Sequence, residues 1–231
     1  MGNRKRGCFV TGTDTGVGKT LVAGALLKLA RDAGLKTAAL KPVAAGVSEH
    51  SGKMVNDDAI ALQALSTSNQ SYEEINPILL DDPIAPHIAA KAQGIGLTLE
   101  ALVNQSKPVI ENQKSDFIVV EGAGGWLVPI DEGNTLADYA QAIDLQVVLV
   151  VGMKLGCLNH AMLTVDSIIG KGLTLAGWIG SRIDPDMLAA GENIDTLLNR
   201  IPSPCLGIVD FLPTPSVEIA ASFISIQELI A

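Results

Sequence analysis

Short, wholly apolar stretches alternate along the chain with longer stretches in which apolar residues recur every three or four positions. A wholly apolar stretch predicts a buried strand, and the recurring spacing predicts an amphipathic helix. The predicted strands are 8–11, 37–40, 117–120, 147–151, 173–179 and 205–209. The predicted helices are 19–33, 57–65, 97–113 with a break or kink near Pro108, 135–143, 160–169, part of 185–200, and 223–230.

Strands that are apolar on both faces are typical of a parallel sheet covered by helices. Their alternation with helices indicates right-handed crossovers within one layer. The sequence therefore predicts an α/β fold with a doubly wound, mainly parallel sheet and helices on both faces. Residues 1–231 are expected to form one domain, with a loop-rich insertion around 66–96. Ligands are expected beyond the carboxyl ends of the strands.

Composition narrows the class of protein further. Apolar residues make up 48% of the chain and aromatic residues only 3%, so the core is expected to be aliphatic. The net charge of −9 argues against a broad nucleic-acid-binding surface, which needs clustered Lys and Arg. No apolar stretch approaches the roughly 20 residues of a membrane span, and no signal peptide is evident. The three widely spaced cysteines fit a reducing compartment, so a cytoplasmic location is expected.

The clearest motif is Gly12–Thr20 (GTDTGVGKT), which lies between the first predicted strand and the first predicted helix. In that setting a Gly-rich turn can hold phosphates with its backbone N–H groups and the helix N-terminus. Lys19 would reach the β- and γ-phosphates, and the Thr20 hydroxyl would bind Mg²⁺. The loop is longer than the common pattern and lacks the early lysine of partitioning-type ATPases. The alternative interpretation is an ordinary turn before a helix.

Three further charged residues follow predicted strands or begin a predicted helix. Glu121 follows the strand 117–120, Asp58 lies at the start of the helix 57–65, and Lys41 follows the strand 37–40. The two carboxylates are candidate Mg²⁺ ligands, and two lysines beside Mg²⁺ suit phosphoryl transfer to an anionic oxygen. The alternative is that each is an exposed charge with no ligand.

Six segments together carry a resemblance to a known family. They are FVTGTDTGVGKT (9–20), KPV (41–43), NDDAIAL (56–62), VEGAGGW (120–126), GMKLGCLNHAML (152–163) and LTLAGW (173–178). In combination they resemble the dethiobiotin synthetase family, over about residues 7–212. The segment 152–163 is far more specific than the phosphate loop, which many ATPases share.

The resemblance implies a phosphate-loop NTPase fold and an ATP-dependent cyclo-ligase activity. The implied reaction carboxylates 7,8-diaminopelargonate with carbon dioxide and closes a ring to give dethiobiotin, a step in biotin biosynthesis. It would pass through a carbamate and a carbamic-phosphoric anhydride, and would release ADP and phosphate. The resemblance also implies Mg²⁺ as cofactor and a homodimer with substrate near the subunit boundary.

The resemblance further assigns roles to individual residues. The implied catalytic residues are Lys41, Lys19 and Thr15, and the implied metal ligands are Thr20, Asp58 and Glu121. The implied nucleotide-binding residues are Gly16, Val17, Gly18, Lys19, Thr20, Leu21, Asp58, Glu121, Gly122, Ala123, Gly124, Ser181, Arg182, Asp210, Phe211, Leu212 and Glu218. The implied substrate-binding residues are Lys41, Ala45, Gly156, Cys157 and Asn159.

Several positions depart from the family pattern. Ala45 stands where a substrate-contacting serine is common, and Ser181 stands where an asparagine that reads adenine is common. A hydroxyl has a shorter reach than an asparagine amide, so weaker base selectivity is expected. Asn193 lies where some members have an aromatic residue that packs on the substrate.

Two other functions share the fold and stay open at the level of sequence. One is a nucleotide-switch or partitioning-type ATPase, whose output is a conformation rather than a product. The other is an amide-forming ligase acting on a cobalt-corrinoid precursor, although the chain shows no second domain to supply ammonia from glutamine.

Overall fold

The molecule is described here from a computed structural model, which covers residues 6–112 and 114–230. Its strands are β1 (Gly7–Gly12), β2 (Thr37–Leu40), β3 (Val43–Ala45), β4 (Ser48–His50), β5 (Lys53–Val55), β6 (Ile78–Leu80), β7 (Phe117–Glu121), β8 (Gln146–Met153), β9 (Leu175–Arg182) and β10 (Cys205–Val209). Its helices are α1 (Lys19–Asp32), α2 (Asp57–Leu65), α3 (Tyr72–Ile75), α4 (Pro86–Gln93), α5 (Leu99–Ile110), α6 (Leu136–Ile143), α7 (Cys157–Gly170), α8 (Ala190–Arg200), α9 (Val217–Ala221) and α10 (Gln227–Ile230).

Six strands form the central sheet in the order β10-β9-β8-β1-β7-β2, and every neighbouring pair is parallel. The chain winds outward from β1 in both directions, which confirms the predicted doubly wound α/β fold. Because β1 lies inside the sheet, the turn that follows it opens between the carboxyl ends of β7 and β8. Such a crevice is where open α/β sheets bind ligands.

Helices cover both faces of this sheet, as the buried strands require. Alternate residues of β1 point to opposite faces, so Phe9 packs in one apolar cluster and Cys8 and Val10 in the other. The Phe9 cluster includes Leu102 of α5, and the opposite cluster includes Leu26 of α1. Burying aliphatic surface on both sides supplies most of the stabilisation of such a fold.

The stretch 66–96, which we expected to be rich in loops, contains three short elements. Strand β6 pairs in parallel with β3 outside the main sheet, and α3 and α4 flank it. This stretch is anchored to the end of β2: the Lys41 N–H donates to Ile75 O (2.7 Å), and Asn76 Nδ2 donates to Lys41 O (2.8 Å). The segment therefore fixes the backbone of Lys41.

The predicted helices 223–230 and 97–113 differ most from the observed elements. The region 223–230 is not one helix but follows α9 with an irregular turn and ends in α10, because Ser225 N–H bonds to Leu206 O (2.8 Å) and ties the turn to β10. Helix α5 runs through Pro108 without the predicted break, and its last turn is closed by a bond from Glu111 N–H to Lys107 O. The predicted end at 113 lies outside the described residues.

Helix α7 begins at Cys157, three residues before the predicted start at 160. The positive φ of Gly156 (94°) makes the turn that allows this early start. In the part of the chain that the structure describes, no helix combines the length and apolarity needed to cross a bilayer.

Candidate active site

The phosphate loop connects β1 to α1 and is shaped by two glycines with positive φ, Gly16 (71°) and Gly18 (89°). The loop is tied to the neighbouring strand by a bond from Thr13 N–H to Val150 O (3.0 Å). Lys19, at the first position of α1, is only 7% exposed and donates to Asp14 O of the same loop (2.9 Å). Its ammonium is therefore held against the mouth of the loop, where a bound phosphate would replace the carbonyl as its partner.

Lys41 lies beside Glu121 because β2 pairs with β7 in a register that sets Leu40 opposite Val120. The Lys41 ammonium donates to Glu121 Oε1 (2.7 Å) and to Asp58 Oδ2 (2.8 Å). Lys41 is 3% exposed and Glu121 is fully buried, so water screens this pair very little. The residue that follows β2 and the last residue of β7 thus form an ion-paired network with Asp58 beside the phosphate loop.

Burial and charge act against each other on these side chains. Burial alone would lower the pKa of Lys41, but the Glu121 and Asp58 carboxylates together raise it above its ordinary value. Burial raises the pKa of Glu121, and the Lys41 ammonium opposes that rise. Burial lowers the pKa of Lys19, which the Glu121 carboxylate only partly offsets. Lys41 is therefore the more firmly charged of the two lysines.

The oxygens around this network suit a hard divalent cation. Thr20 Oγ1 donates to Glu121 Oε1 (2.9 Å), and Asp58 adds a second carboxylate. Glu121 Oε2 is buried and has no hydrogen-bond partner among the described residues. Two carboxylates and a hydroxyl are ligands that Mg²⁺ accepts when phosphate oxygens and water complete its shell. Among the described residues no cluster of three or more His, Cys, Asp or Glu side chains could hold a metal unaided.

A cleft of about 710 Å³ opens in front of these groups. It brings together eleven of the residues predicted from the sequence: Thr15, Gly16, Gly18, Lys19, Thr20, Lys41, Ala45, Asp58, Glu121, Ala123 and Gly124. Gly122 follows Glu121 on the same turn, and its carbonyl lies 3.4 Å from Lys41 Nζ. Val17 is fully buried beneath the loop, and Leu21 lies half-buried on α1, so neither side chain lines the cleft.

The opposite wall of the cleft is apolar and was not predicted from the sequence. It consists of the segment Pro83, Ile84, Ala85 and Pro86 together with Val128 and Pro129. The segment precedes α4, whose first residue is Pro86, and Pro83 packs against Gly46. The two prolines were visible as a turn signal, but nothing local indicated that the turn faces Lys41.

A second group of predicted residues lies at the carboxyl ends of β9 and β10. Ser181 is buried against Gly18 of the phosphate loop, where an added Cβ would come within 2.8 Å of the Ser181 hydroxyl. Arg182 Nη1 donates to Asp210 Oδ1 (3.3 Å), and the Phe211 ring beside this pair is 39% exposed. These residues extend the site along the side of the phosphate loop away from Lys41.

The last two predicted nucleotide contacts lie further along the chain. Leu212 is half-buried and packs on the cluster that contains α1. Glu218, at the start of α9, accepts a bond from Ser216 Oγ (3.2 Å). Neither residue lines the 710 Å³ cleft.

The predicted substrate-binding turn at the start of α7 lies outside the lining of the cleft. Cys157 is buried at the first helical position, whereas Leu155 beside it is 93% exposed. Asn159 is the third residue of the helix and lies in its first turn. Lys154 connects this turn to the phosphate loop by an ion pair with Asp14 (Nζ–Oδ2, 3.0 Å), and the pKa of Asp14 is lowered chiefly by that bond. Sequence reasoning missed this link because the two residues are far apart in the chain.

Known proteins resemble this chain along most of its length. A family model described as an AAA domain matches residues 6–217. The chain is 48% identical to the ATP-dependent dethiobiotin synthetase BioD of Cellvibrio japonicus over 98% of both chains, and 44% identical to that of Ralstonia nicotianae over 97% of both.

Solved structures resemble the chain at the level of fold. The septum site-determining protein MinD of Pyrococcus horikoshii, complexed with Mg-ADP, matches with a TM-score of 0.56 and 15% identity over 97% of this chain and 88% of that one. A chain of the MinC:MinD cell division protein complex of Aquifex aeolicus matches with a TM-score of 0.54 and 17% identity, over 94% of this chain and 85% of that one.

Proposed function

The chain belongs to the ATP-dependent dethiobiotin synthetase family, and from that premise we propose which of its residues perform the reaction. The chain is an ATP-dependent cyclo-ligase of biotin biosynthesis, and its substrates are small molecules that include ATP. The observation that carries the residue assignment is the meeting of Lys41, Glu121, Asp58 and Thr20 at the phosphate loop. Positioning and charge neutralisation provide most of the catalysis in phosphoryl transfer, and these groups supply both.

The triphosphate would lie along the loop, with Lys19 on its γ-phosphoryl group and the base toward β9 and β10. The anionic acceptor would lie at the end of the cleft that contains Lys41, where the charged side chains are concentrated. We assign that acceptor as the carbamate formed from carbon dioxide and one amine of 7,8-diaminopelargonate. Lys41 would hold the carbamate oxygen, and the second amine would then displace phosphate to close the ring.

Mg²⁺, when bound by Thr20, Glu121 and Asp58, would neutralise charge on the phosphates. The protein side chains would orient the carbamate and the diamine. Thr15, which lines the cleft, would contact the carbamate. Ala45 stands beside Lys41 without a hydroxyl, so the diamine would lose one hydrogen bond there. The apolar wall formed by residues 83–86, Val128 and Pro129 would exclude water and hold the aliphatic chain of the diamine.

A homodimer would complete the substrate site. Leu155 is 93% exposed beside the start of α7, and Leu127 and Leu163 are also large exposed apolar residues. Leu127 and Leu163 line one shallow surface pocket, and adjoining exposed apolar residues favour an interface. The N–H groups of Gly156, Cys157 and Asn159 in one subunit would then receive the distal carboxylate of the substrate in its partner's cleft. The cytoplasmic location stays a prediction from the sequence.

A nucleotide switch is not favoured as the function. The likeness to MinD is at the level of fold, and a fold supports many functions. The buried Lys41 network is an arrangement for stabilising charge in a reaction, which a switch does not require.

The deciding experiment incubates the protein with diaminopelargonate, bicarbonate, ATP and Mg²⁺ and analyses the products by mass spectrometry. We expect dethiobiotin, ADP and phosphate in equal amounts. Matched reactions without the diamine or without bicarbonate should release little phosphate. Phosphate release that ignores both substrates would instead indicate a switch and overturn the assignment.

A further inference from the structure

The Lys41 ammonium lies at the centre of the group of oxygens that we assign to Mg²⁺. It donates to Glu121 Oε1 (2.7 Å) and to Asp58 Oδ2 (2.8 Å). Thr20 Oγ1 donates to the same Glu121 oxygen (2.9 Å). Two of the three side chains that would coordinate a divalent ion are thus bonded to a monovalent cation that belongs to the protein, and the third is bonded to one of those two.

Mg²⁺ bound through Glu121 Oε2, which has no hydrogen-bond partner among the described residues, would share this carboxylate with the Lys41 ammonium on Oε1. Mg²⁺ binds oxygen ligands at about 2.0–2.1 Å, so it would lie within a few ångströms of an ammonium bonded to the same carboxylate. Like charges at such a distance repel strongly where burial weakens screening. Glu121 is fully buried and Lys41 is 3% exposed, so the repulsion would act with little screening.

We propose that Lys41 is a built-in placeholder for the metal, which holds Glu121 and Asp58 in position and moves into the cleft when Mg²⁺ arrives with the nucleotide. The catalytic ammonium would then be delivered to the acceptor only after the metal–nucleotide complex is bound. The destination of the ammonium rests on the proposed function. Its displacement rests on the geometry of the carboxylates alone.

The backbone of Lys41 is held in place, whereas its side chain can change rotamer. Its N–H and its carbonyl are both bonded to the segment after α3, at Ile75 O (2.7 Å) and Asn76 Nδ2 (2.8 Å). Only the side chain is free to turn, and it already lines the 710 Å³ cleft. A lysine stem has four rotatable bonds, so a change of rotamer suffices.

The first test measures binding of Mn²⁺ alone, without nucleotide, by electron paramagnetic resonance. We compare the wild-type protein with Lys41→Met, which removes the ammonium and keeps the length of the stem. Competition from the ammonium would be gone, so we expect Lys41→Met to bind Mn²⁺ at least about tenfold more tightly, since uncompensated buried carboxylates demand a cation.

Lys19→Met is the matched control, because Lys19 lines the same cleft but bonds to the Asp14 carbonyl rather than to the carboxylates. Its removal should tighten Mn²⁺ binding by no more than about threefold, through loss of distant repulsion alone. Equal effects of the two substitutions, or no gain in Lys41→Met, would overturn the proposal.

A second measurement uses the wild-type protein, so it holds even where Lys41→Met fails to fold. Reductive methylation of each lysine is followed by mass spectrometry in ADP with Mg²⁺ and in ADP with a chelator. We expect Mg²⁺ to accelerate methylation of Lys41 several-fold and to leave the exposed Lys107 unchanged. An unchanged rate at Lys41 would contradict the displacement.

The product analysis described above separates this inference from the proposed function. Formation of dethiobiotin by a protein whose Lys41 fails both tests would leave the function standing and remove the placeholder. Displacement of Lys41 by Mg²⁺ in a protein that makes no dethiobiotin would support the placeholder and contradict the proposed function.

Discussion

Two ion-paired clusters lie at the same edge of the sheet and differ in how much water reaches them. The Lys41–Glu121 pair, at the ends of β2 and β7, is enclosed, and only Asp58 at its edge reaches solvent, with its side chain 42% exposed. The Arg182–Asp210 pair, at the ends of β9 and β10, is open, with the Asp210 side chain 54% exposed. The enclosed pair is also the shorter, at 2.7 Å against 3.3 Å. Burial makes the first cluster costly to disturb, whereas solvent makes the second adaptable.

This difference suggests that the two ends of one nucleotide site have different functions. The enclosed end would fix the reacting phosphate and acceptor, where small displacements reduce the rate. The open end would hold the base near Ser181, which is buried against Gly18 of the phosphate loop.

The largest effect on activity is expected when the buried ammonium of Lys41 is removed. For Lys41→Met we expect kcat to fall by at least about a thousandfold, because an electrostatic contact to the reacting oxygen is lost. The affinity for ATP in the absence of a divalent ion should change little, since Lys19 and the loop N–H groups remain. Steady-state kinetics and ATP titration measure the two effects. Lys107→Met, on the exposed face of α5, serves as control, and near-normal turnover in Lys41→Met would exclude Lys41 from the chemistry.

Substitutions in the two clusters should also differ in how much they lower the free energy of unfolding. Glu121→Gln leaves Lys41 buried with a single carboxylate partner, so we expect the free energy of unfolding to fall by about 3 kcal/mol. Asp210→Asn breaks the exposed pair and should cost no more than about 0.5 kcal/mol. Urea denaturation of both variants measures the difference. Equal losses would mean that burial does not distinguish the clusters.

A pair of intermediate exposure tests the pH dependence of such contacts. Asp138 accepts bonds from Lys171 and from Thr135, which hold its pKa at about 2 although burial opposes this. A lowered pKa stabilises the fold above the ordinary value of 3.8, and this contribution is lost as the pH falls toward 2.

Asp138→Asn should therefore reduce the free energy of unfolding by about 1 to 2 kcal/mol at neutral pH. The gap from the wild-type protein should narrow below pH 4 as the wild-type carboxyl gains its proton. Denaturation curves at several pH values measure it. A gap that stays constant down to the lowest pH would show that the charge of Asp138 is not the cause.

The smallest effect is expected at the open end. Arg182→Met should change the KM for ATP by about two- to fivefold and leave kcat unaltered, because an exposed contact contributes little and is far from the reaction. Kinetics with ATP and with GTP measure both the effect and its dependence on the base. A large fall in kcat would place Arg182 with the catalytic groups and end the contrast between the two clusters.

Local sequence predicted the elements well where a local cause fixes them. Helix α2 has the predicted bounds, because Asn56 caps its first turn and Asp57 and Asp58 favour its positive end. Strand β10 also has the predicted bounds. The prediction of one helix over 223–230 was wrong, because the shape of this region depends on a hydrogen bond to Leu206 in β10. Hydrophobic periodicity does not reveal such a bond.

The sequence by itself determined the chemistry of this protein: a phosphate loop after a strand, acids and a lysine at strand ends, and the motifs of a family that close relatives confirm. Only the tertiary structure decided which of these groups touch. Lys41 and Glu121 are far apart in the chain, and they meet because β2 lies next to β7 in one particular register. Strand order is set by the packing of helices over the whole sheet, so no local pattern contains it.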